Sequence, residues 1–324
     1  MKQIIWLSIV FIMTLLSCGS KNSGGENTSR PNVLFFIIDD MNTDINCYGG
    51  PIKSPNIDQL AESGIRFNNA YVQQPVCAAS RASFLTGLRP NSTGVDYPYS
   101  HYFLEEVMPR HGTISRFFAN NGYDVKQFGK VHHGKEDENP TYKPKRKGRY
   151  YTDAINESVE NGGPRPPIEK TYHGDSAYVD FKVADSVATA ILSNTKFSEP
   201  FFYVAGFYKP HLVFASPEKY WDMYKEEEIA LPVPRNLAQG SPDFAVDRYY
   251  LNQYEWETDD PMVPFSDDYA RKIRHAYYAS SSFVDAQVGL VMDALRESGL
   301  EEKTIVLFVS DHGFLMGEHN YWGK

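Results

Sequence analysis

The sequence predicts an α/β fold with a central, largely parallel sheet flanked by helices, and three observations carry that expectation. Apolar runs of strand length, Asn32-Val-Leu-Phe-Phe-Ile-Ile38 and Thr304-Ile-Val-Leu-Phe-Val-Ser310 among them, recur along the chain, and the first has the pattern of a strand buried on both faces of a parallel sheet. Helix-length segments closed by glycines lie between the runs, which is the alternation of βαβ units. Charged and imidazole side chains follow four of the runs directly, and in open α/β sheets ligands bind beyond the carboxyl ends of the strands.

Taken in order, the first run, Asn32 to Ile38, ends at Asp39-Asp40. Ser54-Pro55 opens a helix, with Ser as N-cap and Pro in its first position, and Gly64 closes it. Ile65 to Val72 predicts a strand leading to the turn at Cys77. Ala78 to Leu85 are good helix formers that stop at Thr86-Gly87, so Cys77 is predicted to be the first residue of a short helix. Thr113 to Asn121 predicts a helix capped by Gly122, and the strand Tyr123 to Phe128 then delivers Gly129-Lys-Val-His-His133. A helix over about 175–194 precedes the run Pro200 to Gly206, which leads to Tyr208-Lys-Pro-His211. A long helix, about Asp267 to Ser298 with Gly299 as its stop, precedes Thr304 to Ser310, which discharges Asp311-His312. The charged stretch Lys135 to Gly163 reads as a solvated insertion, with Lys143-Pro-Lys-Arg-Lys-Gly-Arg149 as a basic lip for a polyanion in the alternative reading. Residues 208–266 read as a long irregular excursion of the kind that builds substrate pockets.

At 324 residues with 42% apolar content the chain can bury a substantial core. A formal net charge of −9 argues against general nucleic-acid binding. Residues 1–17 read as a signal peptide, because the apolar core Ile4 to Leu16 is too short to span a bilayer comfortably. Leu15-Leu16-Ser17-Cys18 looks like a bacterial lipobox, so Cys18 is expected to carry the lipid that anchors the exported protein in the cell envelope; residues 18–31 then form a flexible polar tether. Of the three cysteines only Cys47 is left if Cys18 is lipidated and Cys77 is functional, so no internal disulfide is expected.

Cys77 sits where a helix presents its positive end, and Arg81, one turn on, shares its face. Asp39, Asp40 and Asp311 arrive from two strand ends, and three carboxylates cannot gather uncompensated in a low dielectric. A divalent cation resolves the repulsion, and carboxylate oxygens favour Ca²⁺ or Mg²⁺. His312 makes that set slightly softer or orients a neighbour. Lys130 and His133, and Lys209 and His211, complete the groups expected on this edge. Taken singly, Asp39-Asp40 reads as a turn, Cys77 as a small buried side chain and Lys324 as a solvated terminal lysine; their common placement makes the site. A thiolate, however, is a soft ligand beside a hard cation.

Cys77-Ala-Ala-Ser-Arg81 resembles the Cys-x-Pro/Ala-x-Arg signature of the type I sulfatases, within the alkaline-phosphatase-like superfamily. The resemblance is closest to iduronate-2-sulfatase-like members. It extends from Pro31 to Lys324 through Asn32 to Asp40, Ser54 to Ala61, Gln73 to Gly87, Gly129 to His133, Lys209-Pro-His211, Ile273-Arg-His-Ala-Tyr-Tyr-Ala-Ser280 and Ser310-Asp-His-Gly313. It implies an alkaline-phosphatase-like sandwich over 32–324, incomplete at its C-terminus. It implies oxidation of Cys77 to Cα-formylglycine by a maturation enzyme, and Ca²⁺ held by Asp39, Asp40, Asp311, His312 and residue 77. Arg81 would hold the formylglycine hydrate, and Lys130, His133, His211 and Lys324 the sulfate of an acidic polysaccharide or oligosaccharide. The alternatives are a phosphoester or phosphonate hydrolase of the same superfamily, and an inactive binder of sulfated glycans.

Overall fold

The computed structural model describes residues 30–96, 112–133, 141, 152–194, 199–242, 254–258, 260 and 262–324. The expected signal peptide, Cys18, nearly all of the tether and the basic run 143–149 lie outside these residues. The body Asn32–Lys324 contains, in chain order, β1 (Asn32–Asp39), α1 (Pro55–Ser63), α2 (Cys77–Thr86), α3 (Pro90–Thr93), α4 (Ile114–Asn120), β2 (Asp124–Gly129), α5 (Asp153–Glu160), β3 (Ile168–Thr171), α6 (Val179–Leu192), β4 (Phe201–Pro210), β5 (Phe214–Pro217), α7 (Glu218–Trp221), α8 (Asp267–Glu297), β6 (Thr304–Ser310), β7 (Leu315–Met316) and β8 (Trp322–Gly323).

The main sheet is parallel, in the order β2-β4-β1-β6. Every residue of β4, and every residue of β1 after Asn32, is buried, as the unbroken apolar runs require. The period-2 alternation of a strand divides β1 between two cores. Leu34, Phe36 and Ile38 pack with Val183, Val187 and Ile191 of α6 and with Tyr277, Val284 and Val288 of α8. Val33, Phe35 and Ile37 face Leu85 of α2 with Phe202 and Val204, and Phe118 of α4 stacks on Phe202 with ring centroids 4.2 Å apart. Each such side chain contributes roughly 1.5–3 kcal/mol when taken from water. With helices on both faces the sheet is rigid, and its carboxyl edge is a fixed platform.

The 31 residues of α8 follow a conventional capping logic. Ser266 Oγ accepts from the Tyr269 amide at 3.2 Å, Asp267 and Asp268 lie in the positive first turn, and Arg296 lies in the last. The helix α1 lacks such a start: the Ser54 hydroxyl bonds Asp58 Oδ1 at 2.9 Å and makes no bond to the helix amides. Asp285 of α8 takes that place, its carboxylate accepting from the amides of Ile57 (2.8 Å) and Asn56 (3.3 Å).

Several expectations change. Residues 65–72 form no strand; Ile65, Phe67 and Tyr71 are exposed, because apolar alternation makes a strand only where a neighbouring strand is available to pair. The expected helix at 175–194 is broken into a short 3₁₀ turn at Asp175–Ala177 and α6. The excursion 208–266 is not wholly irregular, since β5 pairs with β3 and α7 follows it. The charged stretch includes α5. By contrast the limits of β6 and the start of α2 at Cys77 fall where the sequence puts them.

Candidate active site

Four strand ends and one helix start converge. Asp39 is the last residue of β1, and Asp40 follows with a left-handed backbone (φ 67°) where the β1–β4 register shifts. Lys130 follows β2, His211 follows β4, and Asp311 and His312 follow β6. Cys77 opens α2 and is 3% exposed.

Around the sulfur lie Lys324 Nζ at 2.9 Å, His312 Nε2 at 3.2 Å, Asp39 Oδ1 at 3.3 Å and Asp40 Oδ1 at 4.0 Å. Lys130 Nζ donates to Asp39 Oδ2, and Lys324 Nζ donates to Asp40 Oδ1 at 2.7 Å. Arg81 is buried with Nε donating to Asp311 Oδ2 at 2.9 Å and Nη2 lying 3.6 Å from Asp39 Oδ1. Its Nη1 donates to the carbonyls of Lys130 and, at 3.2 Å, Val131. The guanidinium therefore ties the ends of β1, β2 and β6 together. The Asp311 carboxylate also accepts from the amides of Asp40 (3.1 Å) and His312 (3.0 Å). Ser80 adds a bond from its hydroxyl to the Asp311 carbonyl, a contact hidden in an unassigned position of the Cys77–Arg81 motif.

The electrostatics follow from burial opposed by partners. Burial and the Cys77 sulfur would push the Asp39 carboxyl up, but Lys130, His211 and Arg81 hold it well below the usual carboxylate range. Asp311 goes the other way: burial, then the charges of Asp39 and Cys77, outweigh Arg81 and His312 and raise it. Burial opposes ionisation of the Cys77 thiol, yet Lys130, then Lys324, with hydrogen bonds from His133 and His211, bring it well below its ordinary value. His312 is pushed up to about 9, burial being overcome by Asp311, Cys77 and Asp40. Its Nδ1 lies 2.9 Å from the Gly313 carbonyl; donation there leaves Nε2, the atom facing the sulfur, as the ligand atom of the neutral ring.

This donor set fits a divalent cation. Asp39, Cys77, Asp311 and His312 offer ligand atoms all within 4.8 Å of one another, as do Asp39, Asp40, Cys77 and His211. Asp40 Oδ2 is buried without a hydrogen-bond partner, a deficit that a cation would make good. The thiol sulfur is the one member that does not suit a hard ion.

All ten of the expected site residues other than the flanking lysine of the Lys-Pro-His segment are thus gathered. Lys209 is the exception: it is still inside β4, buried, and its ammonium donates to the Val213 carbonyl. Burial lowers it to about 8 against the pull of Asp180, Glu169 and Asp39. The residue that sequence reasoning left without a role is Tyr277, whose hydroxyl donates to the Asp40 carbonyl at 2.8 Å; it stood within the Ile273 to Ser280 segment, but no spacing rule linked it to Asp40.

The sulfatase family model matches residues 31–324. The chain is 33% identical to the human iduronate 2-sulfatase over 343 residues, covering all of this chain and 62% of that protein. It is 30% identical to a sulfatase of Formosa agariphila, covering 96% of this chain and 64% of the other. Among solved structures, a 2-O GAG sulfatase superimposes with a TM-score of 0.65 at 21% identity, over 91% of this chain and 61% of that one. The phosphonate monoester hydrolase of Agrobacterium radiobacter gives 0.70 at 21% identity, over 91% and 65%. The fold is thus that of the alkaline-phosphatase-like superfamily, and the chain spans less than two thirds of the length of these relatives. With a family model spanning the whole body and a 33% identical relative aligned along the full length of this chain, this chain belongs to the sulfatase family.

Proposed function

We propose that the protein hydrolyses sulfate esters on uronic-acid-containing polysaccharides or their oligosaccharides, using residue 77 as Cα-formylglycine with a divalent cation, Ca²⁺ or Mg²⁺. The observation that carries this reading is the position of Cys77: the first residue of a helix, ringed by three carboxylates and by the cations of Arg81, Lys130 and Lys324. A hard cation and a soft sulfur are mismatched there, and an oxygen at the same place removes the mismatch. The class of substrate rests on the names of relatives, an iduronate 2-sulfatase and a 2-O GAG sulfatase.

When present, the formylglycine hydrate supplies a hydroxyl nucleophile and the cation withdraws charge from the sulfate oxygens. The chain's own residues do the rest. Asp39, Asp40, Asp311 and His312 would hold the cation, and Arg81 holds Asp39 and Asp311 in place while facing residue 77. Lys130 and Lys324 offer positive charge, and His133 a hydrogen-bond donor, to a sulfate ester and to the charge that develops as the S–O bond breaks. His211 lies with Nε2 3.9 Å from Asp40 Oδ2 and is assigned the proton that goes to the departing sugar oxygen. Asp39, Asp40, Cys77, Arg81 and Asp311 are buried, and the lower local dielectric strengthens each of these interactions.

The test is mass spectrometry of the peptide spanning residue 77, from protein expressed with a formylglycine-generating enzyme, alongside sulfate release from a 2-sulfated uronate disaccharide. The mass deficit of thiol-to-aldehyde conversion together with sulfate release supports the reading. An unmodified thiol and no release would leave a sulfated-glycan binder. Because a phosphonate monoester hydrolase shares the fold with the higher TM-score, an aryl phosphonate assayed in parallel decides the second reading. Export and a lipid on Cys18 belong to the same proposal, and globomycin-sensitive processing of the precursor checks them.

A further inference from the structure

Asp40 is the site's one carboxylate on a left-handed backbone, with φ 67°. A non-glycine residue keeps that conformation only where its surroundings hold it. Besides the bond from the Asp40 amide to Asp311, one hydroxyl holds the turn. Tyr277 Oη donates to the Asp40 carbonyl at 2.8 Å and accepts from the Asn42 amide at 2.8 Å, so it spans the turn on both sides of Met41.

The ring of the same residue reaches two further parts of the site. It meets Phe214 edge-on with centroids 5.4 Å apart and stacks against Phe314 at 6.3 Å, while Phe214 and Phe314 contact each other at 5.8 Å. Phe214 lies three residues after His211, and Phe314 two after His312. Asn42 Nδ2 closes the circuit by donating to the Phe314 carbonyl at 3.2 Å. One side chain of α8 thus touches the three chain segments that carry Asp40, His211 and His312. Tyr277 is itself 0% exposed, so it acts through these neighbours and not on a substrate.

We infer that Tyr277 is a positioning residue that fixes the Asp40 turn, and through it the geometry of the cation site. In its cation arm this rests on the proposed function. Tyr277→Phe removes only the oxygen, keeps the three-ring cluster, and leaves the Asp40 carbonyl and the Asn42 amide without their common partner. Loss of a buried group that orients a ligand weakens metal binding by roughly 10- to 100-fold.

The experiment is calorimetric titration of the full chain with Ca²⁺, run beside hydrogen–deuterium exchange. Tyr278→Phe is the control: it removes a hydroxyl that accepts from Arg274 Nη2 at 2.9 Å on the same helix, away from Asp40. Tyr277→Phe is expected to lose Ca²⁺ affinity and to exchange faster over residues 39–44 with α8 still protected. Tyr278→Phe is expected to keep the affinity. Unchanged exchange over 39–44 in Tyr277→Phe overturns the inference whether or not Ca²⁺ binds. Wild-type protein that takes up no Ca²⁺ counts against the proposed cation alone, since the exchange arm still decides Tyr277. Should Tyr277→Phe not fold, Phe314→Leu, which keeps the hydroxyl but loosens the ring, carries the same exchange measurement, with faster exchange over 39–44 expected and no change overturning it.

Discussion

Among the side chains of the site, Arg81 carries the heaviest structural duty. Its guanidinium is held charged by Asp311, Asp39 and Cys77 against the cost of burial, and it satisfies two main-chain carbonyls as well. Arg81→Ala would leave two buried carboxylates facing each other and the sulfur. Removing one partner of a buried ion pair costs about 3–5 kcal/mol, so in cation-free protein the urea midpoint is expected to fall by that equivalent; a loss below 1 kcal/mol would mean that the carboxylates had simply taken up protons. At this scale the sequence was informative wherever a polar residue follows an apolar strand, because the sheet itself aligns those ends. It was uninformative for Lys209, where the strand runs on to Pro210 and carries the side chain inward to Val213. Tyr277 was also illegible, since a tyrosine on a core-facing helix shows nothing in sequence of what its hydroxyl meets.

At the level of elements, the seam between α1 and α8 replaces a local cap by a distant one. The Asp285 carboxyl is raised to about 6, chiefly by burial, against the amides of Ile57 and Asn56 and the Asn56 side chain that pull it down. The sign follows directly. A folded-state value above the ordinary 3.8 means that the native state holds this proton more tightly than the unfolded chain, so Asp285 favours folding below pH 3.8 and that contribution is lost as pH rises through about 6. Asp285→Asn, which cannot ionise, is expected to flatten the stability profile across that interval, measured by denaturant midpoints. An unchanged slope would place the pH dependence in other groups. Start and stop residues identified α1 and α8, but the swap of Ser54 for Asp285 depends on how two helices separated by about 200 residues in sequence dock, and only packing decides that.

For the molecule as a whole, helices cover the faces of the main sheet, and among the described residues β2 and β6 are its edge strands. Among the described residues β6 pairs on one side only, with β1, and its Ile305 and Leu307 are 50% and 40% exposed. Such an edge offers main-chain hydrogen-bonding groups and apolar side chains to any extended chain. The 324-residue protein is expected to self-associate as its concentration rises, and Ile305→Lys with Leu307→Lys to shift it towards monomer in sedimentation velocity. Monomeric wild type across the full range would show the edge to be protected. The fold class was legible because continuous apolar runs of strand length alternate with helix-length segments, although the last run, β6, is half exposed and not buried on both faces. The false strand at 65–72 marks the limit, since pairing is a property of the assembled sheet.

The burial of Cys77 also sets an order in time. The sulfur is closed in by Asp39, 38 residues away in the chain, by His312, 235 away, and by Lys324, 247 away. Contacts so distant in sequence form late in folding, and the last of them waits until residue 324 has been made. Once they form, a residue 3% exposed is beyond the reach of another macromolecule. Any enzyme that rewrites this side chain therefore has to act on the nascent or unfolded chain, and its rate competes with that of folding. Iodoacetamide should label the half-buried Cys47 of the native protein well before Cys77, and both at similar rates in denaturant; prompt labelling of native Cys77 would remove the deadline.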